Sequence, residues 1–238
     1  MQKFSYLASR FPICNFWLPS YTDSKKPGMK RVIKVDDYYS TLLETAGGWI
    51  QAGGAAIVSV GGTTLASTSE DSSVEKGLKL VALGNGIEAS GNALQAIGRE
   101  KASFEKRTTL TILGAWLQAA GNITNVAAAL LILDEEEENG FKLDVVGDSV
   151  QFLGALSETA GLRSSEETPF LKTLVSGNLI QSFGLLIEAI GALYNVKGQI
   201  KLGERIKAIG NYIQTAGVTI AAIGLTEKLE SEVQPFFH

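Results

Sequence analysis

Six polar side chains return at one place in a recurring motif: Gln51, Glu88, Gln118, Gln151, Gln181 and Gln214. Carboxamides and a carboxylate can donate and accept hydrogen bonds, and when buried they fix the register of the elements that carry them. Glu88 departs from the other five, and if buried it needs a partner such as a lysine. Chemistry beyond hydrogen bonding has little to draw on, because Cys14 is the single cysteine and His238, the last residue, is the single histidine. No zinc cage, thiol–imidazole pair or Ser/His/Asp triad can be built from these, and no disulfide framework. The run Asp134 to Glu138 could hold a divalent cation weakly, but a run of like charge reads as a solvated turn. Gly84-Asn85-Gly86 lacks the third glycine of a dinucleotide fingerprint, and no phosphate loop, nucleophile elbow or EF-hand loop is present. The expectation is a non-enzymatic protein with no catalytic residue, no cofactor and no metal.

Each of the six polar residues sits in the pattern G-x-x-[I/L/V]-[Q/E]-x-x-G. The flanking glycines are Gly47 and Gly54, Gly84 and Gly91, Gly114 and Gly121, Gly147 and Gly154, Gly177 and Gly184, and Gly210 and Gly217. Gly84, Gly147 and Gly210 are 63 residues apart, as are Gly114 and Gly177, so the natural unit is a pair of motifs. Further glycines extend the pattern in steps of seven, and six such runs hold 21 of the 26 glycines in the 238-residue chain. A step of seven would alternate faces on a strand but stays on one face of a helix, so the segments are helical.

Stops between the segments give six helices, at about 36–67, 73–99, 104–133, 141–163, 169–196 and 199–229. Ser72-Ser73-Val74-Glu75 reads as a capping box opening the second, and Thr168-Pro169 as an N-cap and first-turn proline for the fifth. Short connections make neighbours antiparallel. The expected fold is therefore all-α: an antiparallel bundle of about six long helices, in three repeated hairpins, packed through heptad-spaced glycine columns. The helix-packing glycines are the twelve named above. Glycine in a helix interior costs about 0.8 to 1 kcal/mol against alanine, so some 21 of them cost on the order of 20 kcal/mol. Close backbone approach is what can offset this, with the branched apolar residues three and six places after each glycine lapping over the neighbouring helix.

Residues 1–35 differ from the rest, with aromatic and basic residues and no heptad, and read as a poorly ordered leader; Met29 could be the true start. The bundle then covers 36–230, with a tail at 231–238. A net charge of −4 argues against nucleic acid as a partner. Three uncharged stretches, Thr45–Ser69, Thr108–Leu133 and Ala208–Thr226, are long enough to span a bilayer. Against a multispanning membrane protein stand the charges inside the other helices, Glu88, Asp148, Glu158 and Glu188. The first reading is a soluble, cytoplasmic structural or interaction bundle that self-associates, with an unidentified protein partner. Its alternative is a membrane-active or pore-forming bundle that inserts an apolar hairpin.

The G-N-x-I-Q-x-x-G cores at Gly177–Gly184 and Gly210–Gly217 resemble a family of repetitive, uncharacterised proteins of spore-forming bacteria. The resemblance covers residues 30–230 and implies no activity.

Overall fold

A computed structural model describes residues 35–102, 108–164 and 168–233. It contains six long helices: α1 Val35–Ser67, α2 Asp71–Lys101, α3 Thr109–Leu133, α4 Glu137–Arg163, α5 Pro169–Val196 and α6 Ile200–Val233. There is no strand among the described residues. The leader, Cys14 and Met29 lie outside them, and α6 runs three residues into the expected tail.

Each helix packs only on its two chain neighbours, and α6 closes back on α1, so the helices form an up-and-down ring around a common axis. The closest pairs are α1 with α2, α3 with α4, and α5 with α6. Their register is legible from the glycines. A Cβ added to Gly47 would fall 2.5 Å from the carbonyl oxygen of Gly91, and one on Gly54 would fall 2.7 Å from that of Gly84. Gly114 meets Gly154 at 2.6 Å, Gly121 meets Gly147 at 2.7 Å, and Gly177 and Gly184 meet Gly217 and Gly210 at 2.8 Å. Carbon and oxygen do not approach so closely without a bond, so these backbones can lie against each other only where the side chain is a hydrogen. The seam between α6 and α1 is closed differently, by hydroxyls: Thr45 donates to the Leu225 carbonyl (3.1 Å), and Ser59 meets Thr215 and Thr63 meets Tyr212, each at 2.9 Å.

The ends correct several expectations. Helix α2 starts at Asp71, and its N-cap Glu70 makes no side-chain capping bond; Glu75 pairs instead with Lys79 one turn on. Thr168 is the N-cap of α5 with Pro169 at the first helical position, again without a side-chain bond. The acidic turn is shorter than expected, because α4 already begins at Glu137. Gly198 belongs to no helix: its φ of +77° lets the Gly198 and Gln199 amides bond back to the carbonyls of Asn195 and Tyr194, ending α5.

The larger correction concerns the apolar stripe. Residues six places after a glycine, expected to lap over the neighbouring helix, face outward: Phe183 is 58% exposed and Leu153 55%. Val60, Ile97, Ile190 and Ile223 are exposed as well. What crosses the glycines instead is the stem of a polar side chain. An added Cβ on Gly54 would meet the Cγ of Glu88 at 2.7 Å, on Gly121 that of Gln151 at 2.5 Å, and on Gly154 that of Gln118 at 2.8 Å.

Gly184→Ala should destabilise the fold by about 1 to 3 kcal/mol, since the new methyl strikes backbone rather than a movable side-chain end. Gly53 and Gly86 have nothing within 4 Å of such a methyl, so Gly53→Ala and Gly86→Ala should stabilise by about 0.5 to 1 kcal/mol. Denaturant unfolding of the three variants checks both signs.

Candidate functional site: the polar interior

Among the described residues, 29 polar or charged side chains are buried, against only seven apolar ones larger than alanine. Position along the helix explains which they are. The residue after a glycine and the residue four after it point to the axis, which buries Asn85, Asn92, Asn122, Asn178 and Asn211 in the first series. The second series contains all six of the residues in the recurring motif, with Gln118, Gln151, Gln181 and Gln214 each 2% exposed and Glu88 1%.

Three of the amides meet. Gln51 on α1 and Gln181 on α5 both donate to the Oε1 of Gln118 on α3, the first at 3.4 Å. These helices share no backbone contact, so the bonds run across the axis. Gln214 on α6 likewise reaches Glu88 on α2 at 3.1 Å, leaving the second oxygen of Glu88 without a partner. The partner of Glu88 is thus an amide, where a lysine was expected. Gln151 stands apart from both groups, and its Oε1 has no hydrogen bond.

The amides lead into an ion-pair network toward the end of the ring where α1 begins. Gln118 donates to Glu158 at 2.6 Å. Glu158 pairs with Arg99 at 2.8 Å, Arg99 reaches Glu44 at 3.5 Å, and Glu44 pairs with Lys228 at 2.9 Å. Arg99 also donates to the carbonyl of Thr111 at 2.8 Å and to Gln95 at 3.2 Å, while Gln95 donates to Gln51 at 2.9 Å. This one connected set takes a residue from every helix. Its fixed charges balance, two carboxylates against an arginine and a lysine, as buried charge requires.

Toward the opposite end lies a second cluster, with Asp144, Asp148, Glu188 and Glu204 around Lys207. Lys207 forms an ion pair with Asp144 and stands 3.9 Å from Asp148. Asn125 donates to Asp148 at 2.6 Å, and Asn195 to Glu204. All of these groups except Asn195 line a cavity of about 30 Å³, room for about two water molecules. Between the two clusters the interior is shut: Ala55, Ala155, Leu185, Asn92 and Asn122 have no exposed surface.

Arg99, Glu44, Lys207, Lys228 and Asp144 were not singled out in the sequence, although the signal is present. Lys207, Lys228, Glu158, Glu188 and Asp144 each stand four residues after a glycine, in the same relation as the six motif residues. The acidic run Asp134 to Glu138 is exposed, and no group of three or more Asp, Glu, His or Cys able to hold a metal ion occurs among the described residues.

Arg99→Met should cost about 3 to 5 kcal/mol by leaving Glu158 buried without its cation. Adding Glu158→Leu to that variant should recover part of the loss, because the stranded charge is then removed. Unfolding free energies of the single and double variants test this, and a double variant less stable than Arg99→Met would contradict the pairing.

No curated protein and no solved structure is significantly similar to the chain. A family model matches residues 42–230, almost the whole helical ring. The chain therefore belongs to that family, which is described as a family of unknown function (DUF6944).

Proposed function

We propose that the protein is a non-enzymatic, membrane-embedded helical ring that holds a polar interior within the bilayer, with all six helices inserted. One observation carries this reading: large apolar side chains lie outside and polar ones inside. Among the described residues 27 large hydrophobics are exposed, and they occur on all six helices. Leaving a side chain of this size half exposed to water forgoes about 1 kcal/mol, so the total is on the order of 25 kcal/mol.

The placement of charge supports the same reading. On α2 no exposed charge lies between Lys79 and Glu100, on α4 none between Lys142 and Arg163. The corresponding limits are Lys172 and Lys197 on α5, and Arg205 and Glu227 on α6, while α3 carries no charge at all. The shortest of these intervals is 20 residues, which at 1.5 Å per residue is about 30 Å, the thickness of a bilayer's hydrocarbon core. Charges inside those limits, Glu88, Asp148, Glu158 and Glu188 among them, are buried, apart from Lys207, whose side chain is 13% exposed. Their presence was the argument against a multispanning protein; turned inward, they are where intramembrane charges belong.

By length and composition α3, α5 and α6 are apolar enough to cross a membrane. The expected Thr45–Ser69 stretch does not qualify whereas α5 does, and the one charge of its apolar span, Glu188, is buried. Aromatics near the ends suit the headgroup region: Trp116 donates to Glu100 at 2.9 Å, and Tyr194 lies under Lys197 at 5.9 Å. Nothing supports the expected cytoplasmic location. Self-association in water would have to cover apolar surface on every side of the ring, whereas the closed symmetric assemblies common among soluble oligomers cover one or two patches. The shut middle of the ring favours a sealed interior over an open pore.

Membrane fractions of expressing cells should retain the full chain through an alkaline carbonate wash and release it in detergent. In liposomes, lipids brominated along the acyl chain should quench Trp49 and Trp116, both exposed on the outer face. Recovery in the soluble fraction as a uniform oligomer, with no quenching, would overturn the proposal.

A further inference from the structure

The two charged clusters differ in balance. In one connected network Glu44 and Glu158 face Arg99 and Lys228, carboxylates and cations in equal number. In the other cluster Asp144, Asp148, Glu188 and Glu204 share the single cation Lys207, with Glu88 nearby toward the middle. Lys207 is committed to Asp144. A buried carboxylate needs a compensating charge or a proton; Lys207 stands 3.9 Å from Asp148 and makes no ion pair with Glu188.

The free atoms around the cavity share one chemistry. Glu188 Oε1, Asp148 Oδ2 and Asn211 Oδ1 are buried and accept no hydrogen bond, and all three residues line the cavity. All three atoms are oxygens; the Oδ1 of Asn125 is packed over Gly147 instead. Uncommitted donors are what would mark an anion site, and the lysine here is already taken.

We propose that this cavity binds a small monovalent cation of the sodium type, held by one oxygen each of Asp148, Glu188 and Asn211, with the Asn125 amide orienting Asp148. Size agrees, since the cavity admits about two water-sized bodies, an ion and one water. Valence follows from the neighbours. No three carboxylates converge as a divalent ion asks, and the Lys207 ammonium beside Asp148 opposes a double charge more strongly than a single one. The sources of this asymmetry are single positions. Asp148 stands 63 residues from both Asn85 and Asn211, and Glu188 stands 63 from Asn125, which is itself 67 from Val58. All of these line the same cavity, so like-placed residues of the three hairpins contribute an apolar side chain, amides and acids to one site.

The site is independent of the membrane reading, because the cavity is formed by the ring itself in lipid, detergent or water. The test is thermal unfolding of the full chain, in whatever medium keeps it monodisperse, with sodium chloride exchanged for choline chloride at constant ionic strength. Sodium should raise the Tm by about 3 °C when it is present at roughly ten times its dissociation constant. The shift should vanish in the near-isosteric double variant Asp148→Asn/Glu188→Gln and persist in Glu75→Gln, which alters an exposed carboxylate. Should the double variant not fold, sodium-23 relaxation with the unaltered chain gives a second reading: saturable line broadening is expected. Equal Tm values in the two salts, a shift that survives the double substitution, a larger shift with calcium, or unsaturable broadening would each overturn the site.

Discussion

Everything else in this molecule depends on the contact of backbone with backbone between paired helices. Where Gly54 lies on Gly84, or Gly114 on Gly154, there is no Cβ to hold the chains apart. Such proximity gains dispersion and weak Cα–H to carbonyl contacts that a larger residue would forfeit. It also determines what can stand beside the contact. With the seam so thin, the stem of a glutamine or glutamate from one helix passes over the glycine of the other and carries its polar head to the axis. The glycines therefore do two things at once: they bring helices together and they make room for the interior.

Much of this architecture is legible in the heptads. The number of helices, their approximate ends and the antiparallel pairing follow from the spacing of Gly47, Gly84, Gly114, Gly147, Gly177 and Gly210 and from short connections. The inside and the outside were not distinguished, and the reason is geometric. At 100° per residue, places one and four after a glycine lie about 100° and 40° to one side of it, and places three and six about 60° and 120° to the other. Glycine is the boundary between the two faces, not the centre of a single stripe. Treating Ile180, Phe183 and Gly184 as one packing surface merges them, because the ordinary assumption in water is that the apolar side is the buried one. Here Asn178 and Gln181 are buried while Ile180 and Phe183 are exposed.

The same geometry explains why composition misleads. Averaged along a helix, Gln51, Ser59 and Thr45 dilute the apolar character of α1, and Glu88 and Arg99 that of α2, although no exposed charge interrupts the outer face of either over a bilayer's thickness. A mean over all faces cannot register a helix whose two sides differ so much in polarity. Of the charges read as evidence for water, Glu158 is instead paired across the axis with Arg99, as Lys207 is with Asp144. Those bonds join helices that make no backbone contact, so the interior ties together what the glycine seams join only pairwise.

That division of labour sets where specificity can reside. The glycine positions admit almost no alternative, since any Cβ there meets backbone or the root of a side chain. The positions one and four places on are free to vary in chemistry so long as their stems fit the seam, and they do vary. Val81, Asp144 and Lys207 stand at spacings of 63, line one cavity, and are an apolar residue, an acid and a base. Leu78, Phe141 and Glu204 show the same freedom. A uniform scaffold thus encloses a non-uniform interior, with a charge-balanced network toward one end and an acid-rich cluster toward the other. The excess acid is not needed to build the ring, because the end that carries Arg99 and Lys228 is built on the same seams without it. Buried acid that the fold does not require is therefore better ascribed to what the interior holds than to what holds the helices together.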